Sequence, residues 1–150
     1  MKTKRIITEL YSSTSNVGRN VGETNDCTVV STSIVTGVDY LTAHAALEQA
    51  GRKCKSGAHI YQQLKALQQL GFVAENQSAR NFIAQFPGNH KSLRNLTTHH
   101  PARFAKHWPK GSFLLFTRHH VAACVDGVVH DWTNGRSKRI TSIYKIDASR

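Results

Sequence analysis

Apolar and polar positions change rhythm about halfway along the chain. In the first half the spacing is helical. Asp26-Cys27 opens a segment in which Val30 and Ile34 fall one turn apart, and Gly37 stands where a left-handed cap would end it. Asp39 is placed to cap a second helix, whose Tyr40, His44 and Leu47 share a face with Leu41 and Ala45 beside them, and Gly51 stops it. Ser56 or Gly57 starts a third, in which Ile60, Leu64 and Leu67 repeat up to Gly71. These apolar stripes are core rather than cofactor boxes, and no cofactor is expected.

Residues 73 to 97 have no clean period, and Phe86-Pro87-Gly88-Asn89 is a turn signal, so this stretch reads as loop with at most one short element. Pro101 suits the first turn of a short helix that carries Phe104 and ends before Pro109, after which Lys110-Gly111 turns the chain. Residues 113 to 117, 120 to 125, 128 to 132 and 139 to 146 are then rich in β-branched and aromatic side chains and separated by turn residues, as strands are. Helices followed by an antiparallel sheet is an α+β layout. At 150 residues the chain is expected to form one domain, residues 1 to 150.

Val125-Asp126-Gly127-Val128 is the sharpest local signal, because Asp-Gly between apolar runs favours a two-residue hairpin turn. With Val125 opposite Val128, the pairs run Cys124 with Val129, Ala123 with His130, Ala122 with Asp131 and Val121 with Trp132. Alternation then puts His120, Ala122 and Cys124 on one face with Val129, Asp131 and Thr133, and His119 on the other with His130 and Trp132. His120 and Asp131 become diagonal neighbours, so a carboxylate can accept an imidazole N–H and hold the ring in one orientation. Trp132 is expected to pack on the back of the sheet as a structural residue.

Cys27 supplies a nucleophile for that pair. It falls at the first turn of a helix, where partial positive charge and a nearby imidazolium favour the thiolate. His120 would act as base and then as acid to the leaving group. Each residue alone is more often a packed cysteine or an ordinary histidine; the conjunction carries the chemistry. A metal site of Cys27, His120 and Cys124 matches no common zinc spacing, so no metal is expected.

Charge adds a second possibility. The chain has 20 Lys plus Arg against 9 Asp plus Glu, a formal net charge of +11. No acidic residue lies between Glu75 and Asp126, whereas Arg80, Lys91, Arg94, Arg103, Lys106, Lys110 and Arg118 do, with six histidines. A positive face suits nucleic acid or an acidic host protein, with Arg94, Arg103, Lys106 and Lys110 as candidate contacts, and equally suits a solvated face that keeps the protein in solution. No helix-turn-helix, zinc-finger or RNA-recognition signature accompanies it. Three scattered cysteines, the lack of a signal-peptide core after Met1-Lys2-Thr3-Lys4-Arg5, and no apolar run near the roughly 20 residues of a membrane span point to a cytosolic protein with no membrane partner.

Taken together, Asn25-Asp26-Cys27-Thr28-Val29, Gly51-Arg52, Leu67-Gln68-Gln69-Leu70-Gly71-Phe72, Pro109-Lys110-Gly111 and the run from His120 through Val125-Asp126-Gly127-Val128 to Asp131-Trp132 resemble short phage-encoded cysteine peptidases of the papain-like fold. The resemblance covers residues 20 to 146. It implies a helix-borne Cys27 packed on an antiparallel sheet carrying His120 and Asp131, and thiol-dependent hydrolysis of an amide or related acyl bond in a protein or peptide. Such enzymes usually place a Gln shortly before the nucleophile to bind the oxyanion, and none precedes Cys27 here. Asn25 or Asn20 is the candidate donor in its place, although Asn25 beside Asp26 also fits a turn. The competing expectation is a catalytically silent, basic binding protein.

Overall fold

Residues 7–77, 110–133 and 140–149 are described by the structure, a computed structural model. They form four helices, α1 (Glu9–Asn20), α2 (Cys27–Thr36), α3 (Tyr40–Gln49) and α4 (Ile60–Gln69), and five strands, β1 (Phe72–Asn76), β2 (Ser112–Thr117), β3 (His120–Val125), β4 (Val128–His130) and β5 (Ile140–Ala148). The strands make one antiparallel sheet in the order β1-β5-β2-β3-β4. The class is α+β. No described helix is long and apolar enough to cross a membrane.

The central helix α2 reads Cys-Thr-Val-Val-Ser-Thr-Ser-Ile-Val-Thr, a poor helix former by propensity because its β-branched and hydroxyl residues dominate. Burial overrides that preference: every residue from Thr28 to Val35 is buried. Its hydroxyls are absorbed by the helix backbone, with Ser31 donating to Cys27 O at 2.6 Å and Thr36 to Thr32 O at 2.6 Å. Gly37 ends it in the left-handed region at φ 78°, the conformation glycine adopts without steric cost. Asp39 caps α3 by accepting from Thr42 N at 2.7 Å, and α4 begins at Ile60 after His59, three residues beyond the start that Gly57 suggests.

Val29, Val30, Leu47 and Leu67 from the helices meet Leu114, Val121, Ala123 and Ile146 from one face of the sheet in a buried cluster. Phe113, Leu115, Ala122, Cys124, Val129, Ile140 and Ile143 alternate with those positions and form a second buried cluster on the opposite face. Cys124 is therefore a core residue there, and burial pushes its thiol pKa up to about 12.

Two elements are not assigned by periodicity. Helix α1 lies before the first expected helix, in the serine- and asparagine-rich stretch Glu9–Asn20; Thr8 caps it by accepting from Tyr11 N, and Thr8 Oγ1 lies 2.7 Å from His130 Nδ1, tying the helix to β4. Strand β1 is the one short element allowed for in the aperiodic stretch after residue 73, beginning one residue earlier at Phe72, and it pairs with β5 through long-range partners such as Ala74 and Ile146. The turn at Phe86-Pro87, the short helix after Pro101 and the first residue of the last expected strand, Arg139, lie outside the described residues.

The β3–β4 register is the one that Asp126-Gly127 implies: Val125 pairs with Val128, Cys124 with Val129 and Ala123 with His130. Both turn residues are left-handed, at φ 48° for Asp126 and 78° for Gly127. The ladder then stops, and the further pairs Ala122 with Asp131 and Val121 with Trp132 do not form. Asp131 accepts from Thr133 N at 3.0 Å, an Asx turn that leads the backbone out of the strand.

Candidate active site

Cys27, His120 and Asp131 line one cleft of about 510 Å³, together with Tyr11, Asn25 and Trp132. His120 opens β3 after the two-residue turn Arg118-His119, and Thr117 pairs with His120 to close that turn. His120 Nε2 lies 2.7 Å from Asp131 Oδ2. With a carboxylate as acceptor, Nε2 carries the proton, and Nδ1 is left for the Cys27 thiol. Burial opposes charge on the ring, but hydrogen bonds with Asp131 and Cys27, and the charges of both, outweigh it and raise the His120 pKa to about 9. At neutral pH the ring is a cation beside Cys27.

Asp131 is 3 % exposed and heavily bonded. The oxygen that meets His120 also accepts from Thr133 N and from Thr133 Oγ1. Three donors on one oxygen fix the carboxylate, and through it the imidazole. Thr133 was not singled out by sequence reasoning; the signal available was the Asp-X-Thr spacing of an Asx turn.

Cys27 is the first residue of α2; Val29 N and Val30 N both donate to Asp26 O at 2.9 Å, and the N–H groups of Cys27 and Thr28, ahead of them, have no acceptor within the helix. Asp26 occupies the N-cap position but makes no side-chain cap, because its Oδ2 accepts from Tyr40 OH at 2.8 Å. The uncapped N–H groups and the helix dipole face a developing negative charge at the thiol. Gly18 of α1 gives Asp26 and Tyr40 their room; a Cβ there would fall 2.7 Å from the Tyr40 hydroxyl oxygen.

The loop before Cys27 is pinned from behind by Glu23, which is 5 % exposed, and Arg52, 4 % exposed. Arg52 Nη1 donates to Glu23 Oε2 at 2.8 Å and Nη2 to Oε1 at 3.2 Å, Lys55 N donates to Oε1 at 2.8 Å, and His44 Nε2 lies 2.5 Å from Oε2. The Arg52 hydrogen bond, ahead of the burial that opposes it, holds the Glu23 carboxyl well below the usual carboxylate range. Periodicity gave no sign of this knot, since its members lie on three separate segments.

The other candidates are placed as follows. Asn25 lines the cleft in a left-handed conformation at φ 49°, and its Nδ2 donates to Lys55 O at 3.2 Å, so it serves the loop as the turn alternative holds. Asn20 ends α1, is exposed and is not among the cleft residues. His119 is a turn residue at φ 59° and exposed, not a strand residue on the opposite face. Trp132 is likewise at the site and not behind the sheet: its ring centroid lies 5.3 Å from that of His120. The reason is common to both, since each lies beyond the end of a ladder, where strand alternation no longer applies. Lys110 is exposed ahead of β2, and Arg94, Arg103 and Lys106 lie outside the described residues. Among the described residues no group of three or more His, Cys, Asp or Glu is arranged to hold a metal ion.

Comparisons of the chain with family models, with curated proteins and with solved structures returned no match.

Proposed function

We propose that this protein is a thiol-dependent acyl hydrolase of papain-like type that acts on a protein or peptide, with Cys27 as nucleophile, His120 as acid and base, and Asp131 as the group that orients His120. The observation that carries the reading is the His120 ring held between the buried, triply bonded Asp131 and a cysteine at an uncapped helix start. In the first step Cys27 Sγ attacks the substrate carbonyl carbon as a thiolate, its proton already held by the His120 imidazolium, and the oxyanion forms beside the first N–H groups of α2. His120 gives its proton to the leaving amine, the C–N bond breaks, and a thioester remains. A water then attacks the thioester as His120 takes its proton, the C–S bond breaks, and the carboxylic acid leaves with the Cys27 thiolate and His120 imidazolium restored.

A second lobe of about 390 Å³ adjoins the first, sharing Cys27, Gly57, His119 and His120 and adding Thr28, Phe116 and Val121. The thiol thus has space on two sides, as cleavage within a chain requires.

The test uses the three free cysteines against one another. Iodoacetamide at neutral pH, followed by intact mass and peptide mapping, is expected to label Cys27 at least tenfold faster than exposed Cys54, and Cys124 last. Equal rates at Cys27 and Cys54 would remove the nucleophile from the reading.

A further inference from the structure

The geometry points to an extension of the cleft: past Tyr11 and Trp132 it opens into a cationic groove along α1, and we infer that this groove takes an acidic segment of the substrate, with Arg19 as the residue that reads it. The inference rests on the acyl-hydrolase reading and adds a substrate preference to it.

The groove encloses about 400 Å³ and is bounded by Tyr11, Ser12, Asn16, Arg19 and Trp132 among others. Tyr11 and Trp132 also line the 510 Å³ cleft that holds Cys27, so the two rings are a sill between adjoining spaces. A substrate lying across that sill has an extended segment against α1 while its acyl carbon meets the thiol.

The charged groups along this path are unequally free. Of the carboxylates, Asp26 spends Oδ2 on the Tyr40 hydroxyl, and Asp131 spends its own on His120 and Thr133. Both are bonded within the protein. Arg118 in the cleft and Arg19 in the groove are exposed, and neither has an ion-pair partner among the described residues. Within the groove Arg19 is the one charged residue of the lining, so the charge the groove offers a ligand is positive. A guanidinium offers a planar fork of donors that matches a carboxylate in two parallel hydrogen bonds, and the hydroxyl of Ser12 and the amide of Asn16 suit a polar chain rather than an apolar one. A formal net charge of +11 on the whole chain would speed encounter with such a substrate.

Paired peptide electrophiles test this directly: short peptidyl vinyl sulfones that differ only in Glu against Gln, with the acidic residue moved one position at a time. The readout is the Glu-to-Gln ratio of Cys27 labelling rates by intact mass, which cancels any change in the thiol itself. At one or two positions the Glu probe is expected to react roughly threefold to tenfold faster, with the advantage shrinking in high salt. Arg19→Gln should bring the ratio close to one, and Arg19→Glu should invert it. Equal rates for Glu and Gln probes at every position would overturn the groove's preference, and an undiminished ratio in Arg19→Gln would overturn the role of Arg19. If iodoacetamide fails to single out Cys27, the hydrolase reading fails on its own. The same peptides carrying a fluorophore in place of the vinyl sulfone then decide the groove by polarisation, since tighter Glu binding that Arg19→Gln abolishes would uphold it and equal binding would end it.

Discussion

His120 and Asp131 are 11 positions apart and are brought together by a single hairpin, whereas Cys27 is aimed by contacts that reach much further along the chain. Glu23 and Arg52 are separated by 29 positions, Glu23 and Lys55 by 32, and Asp26 and Tyr40 by 14. The hairpin half depends on backbone geometry: two left-handed turn residues set a register, and an Asx turn ends it. The nucleophile half depends on buried polar groups that satisfy one another. A hairpin tolerates changes outside its turn and its reactive side chains, but a buried ion pair does not tolerate the loss of either member, because the survivor is a charge without solvent. The two halves of the site should accordingly fail in different ways.

The largest expected effect is chemical and lies in the hairpin. His120→Ala should reduce hydrolysis of a peptide substrate by about a hundredfold to ten-thousandfold and also lower stability, since it leaves the buried Asp131 without its cationic partner, while His119→Ala, at an exposed turn position, should stay within about threefold in activity. An inactive His119→Ala beside an active His120→Ala would show that the wrong histidine has been assigned. The same ring sets a pH limit. Since leaving-group protonation needs the imidazolium, turnover should fall as pH rises through about 9, whereas alkylation of Cys27, which needs no proton donor, should persist there. The shift is upward, so charged His120 contributes to stability fully below its ordinary 6.5 and ceases to as pH rises through about 9.

The next effect is one of stability and lies in the nucleophile half. Arg52→Ala strands the Glu23 carboxylate and should cost about 3–5 kcal/mol in urea unfolding, and it should lower activity even where the protein stays folded, because the loop before Cys27 loses its anchor. Glu23 is shifted downward from 4.5, so its contribution is present above that pH and is lost as pH falls below it. Acid should therefore weaken the wild type more than Glu23→Gln. A wild type and Glu23→Gln with parallel stability curves between pH 6 and 3 would show that the Glu23–Arg52 pair contributes nothing to stability.

The smallest effect returns to the hairpin. Gly127 sits at φ 78°, and Gly127→Ala should cost about 1–2 kcal/mol through a Cβ in the left-handed region, with hydrolysis largely kept because the Ala123–His130 and Cys124–Val129 pairs still fix the register. Loss of activity at unchanged stability would mean that the turn, and not the ladder, aims His120.

The unequal legibility of these regions in the sequence has the same origin as their unequal construction. Asp126-Gly127, Gly37, Asp39 and the apolar spacing of Ile60, Leu64 and Leu67 act within one turn or one hairpin, and each is found near where local chemistry puts it. Helix α1 was not legible, because Ser12, Ser13, Thr14, Ser15 and Asn16 are weak helix formers whose order comes from packing Thr14 and Gly18 and from the Thr8–His130 contact. Strand β1 was legible only as a short element of no assigned type, since its five residues pair with the far end of the chain.

What the sequence determined by itself was the set of short-range devices: the caps, the turn, and the hairpin register as far as Ala123 and His130, beyond which Asp131 reaches His120 from an Asx turn that leaves the ladder. What only the tertiary structure decided was the environment of the thiol. That comprises the Glu23–Arg52–His44 knot behind the loop, the Tyr40 hydroxyl that draws Asp26 away from capping α2, and the placing of Tyr11 and Trp132 around the cleft. These depend on segments that meet only when the chain is packed, and a side chain's partner across dozens of residues leaves no period in the sequence from which it can be read.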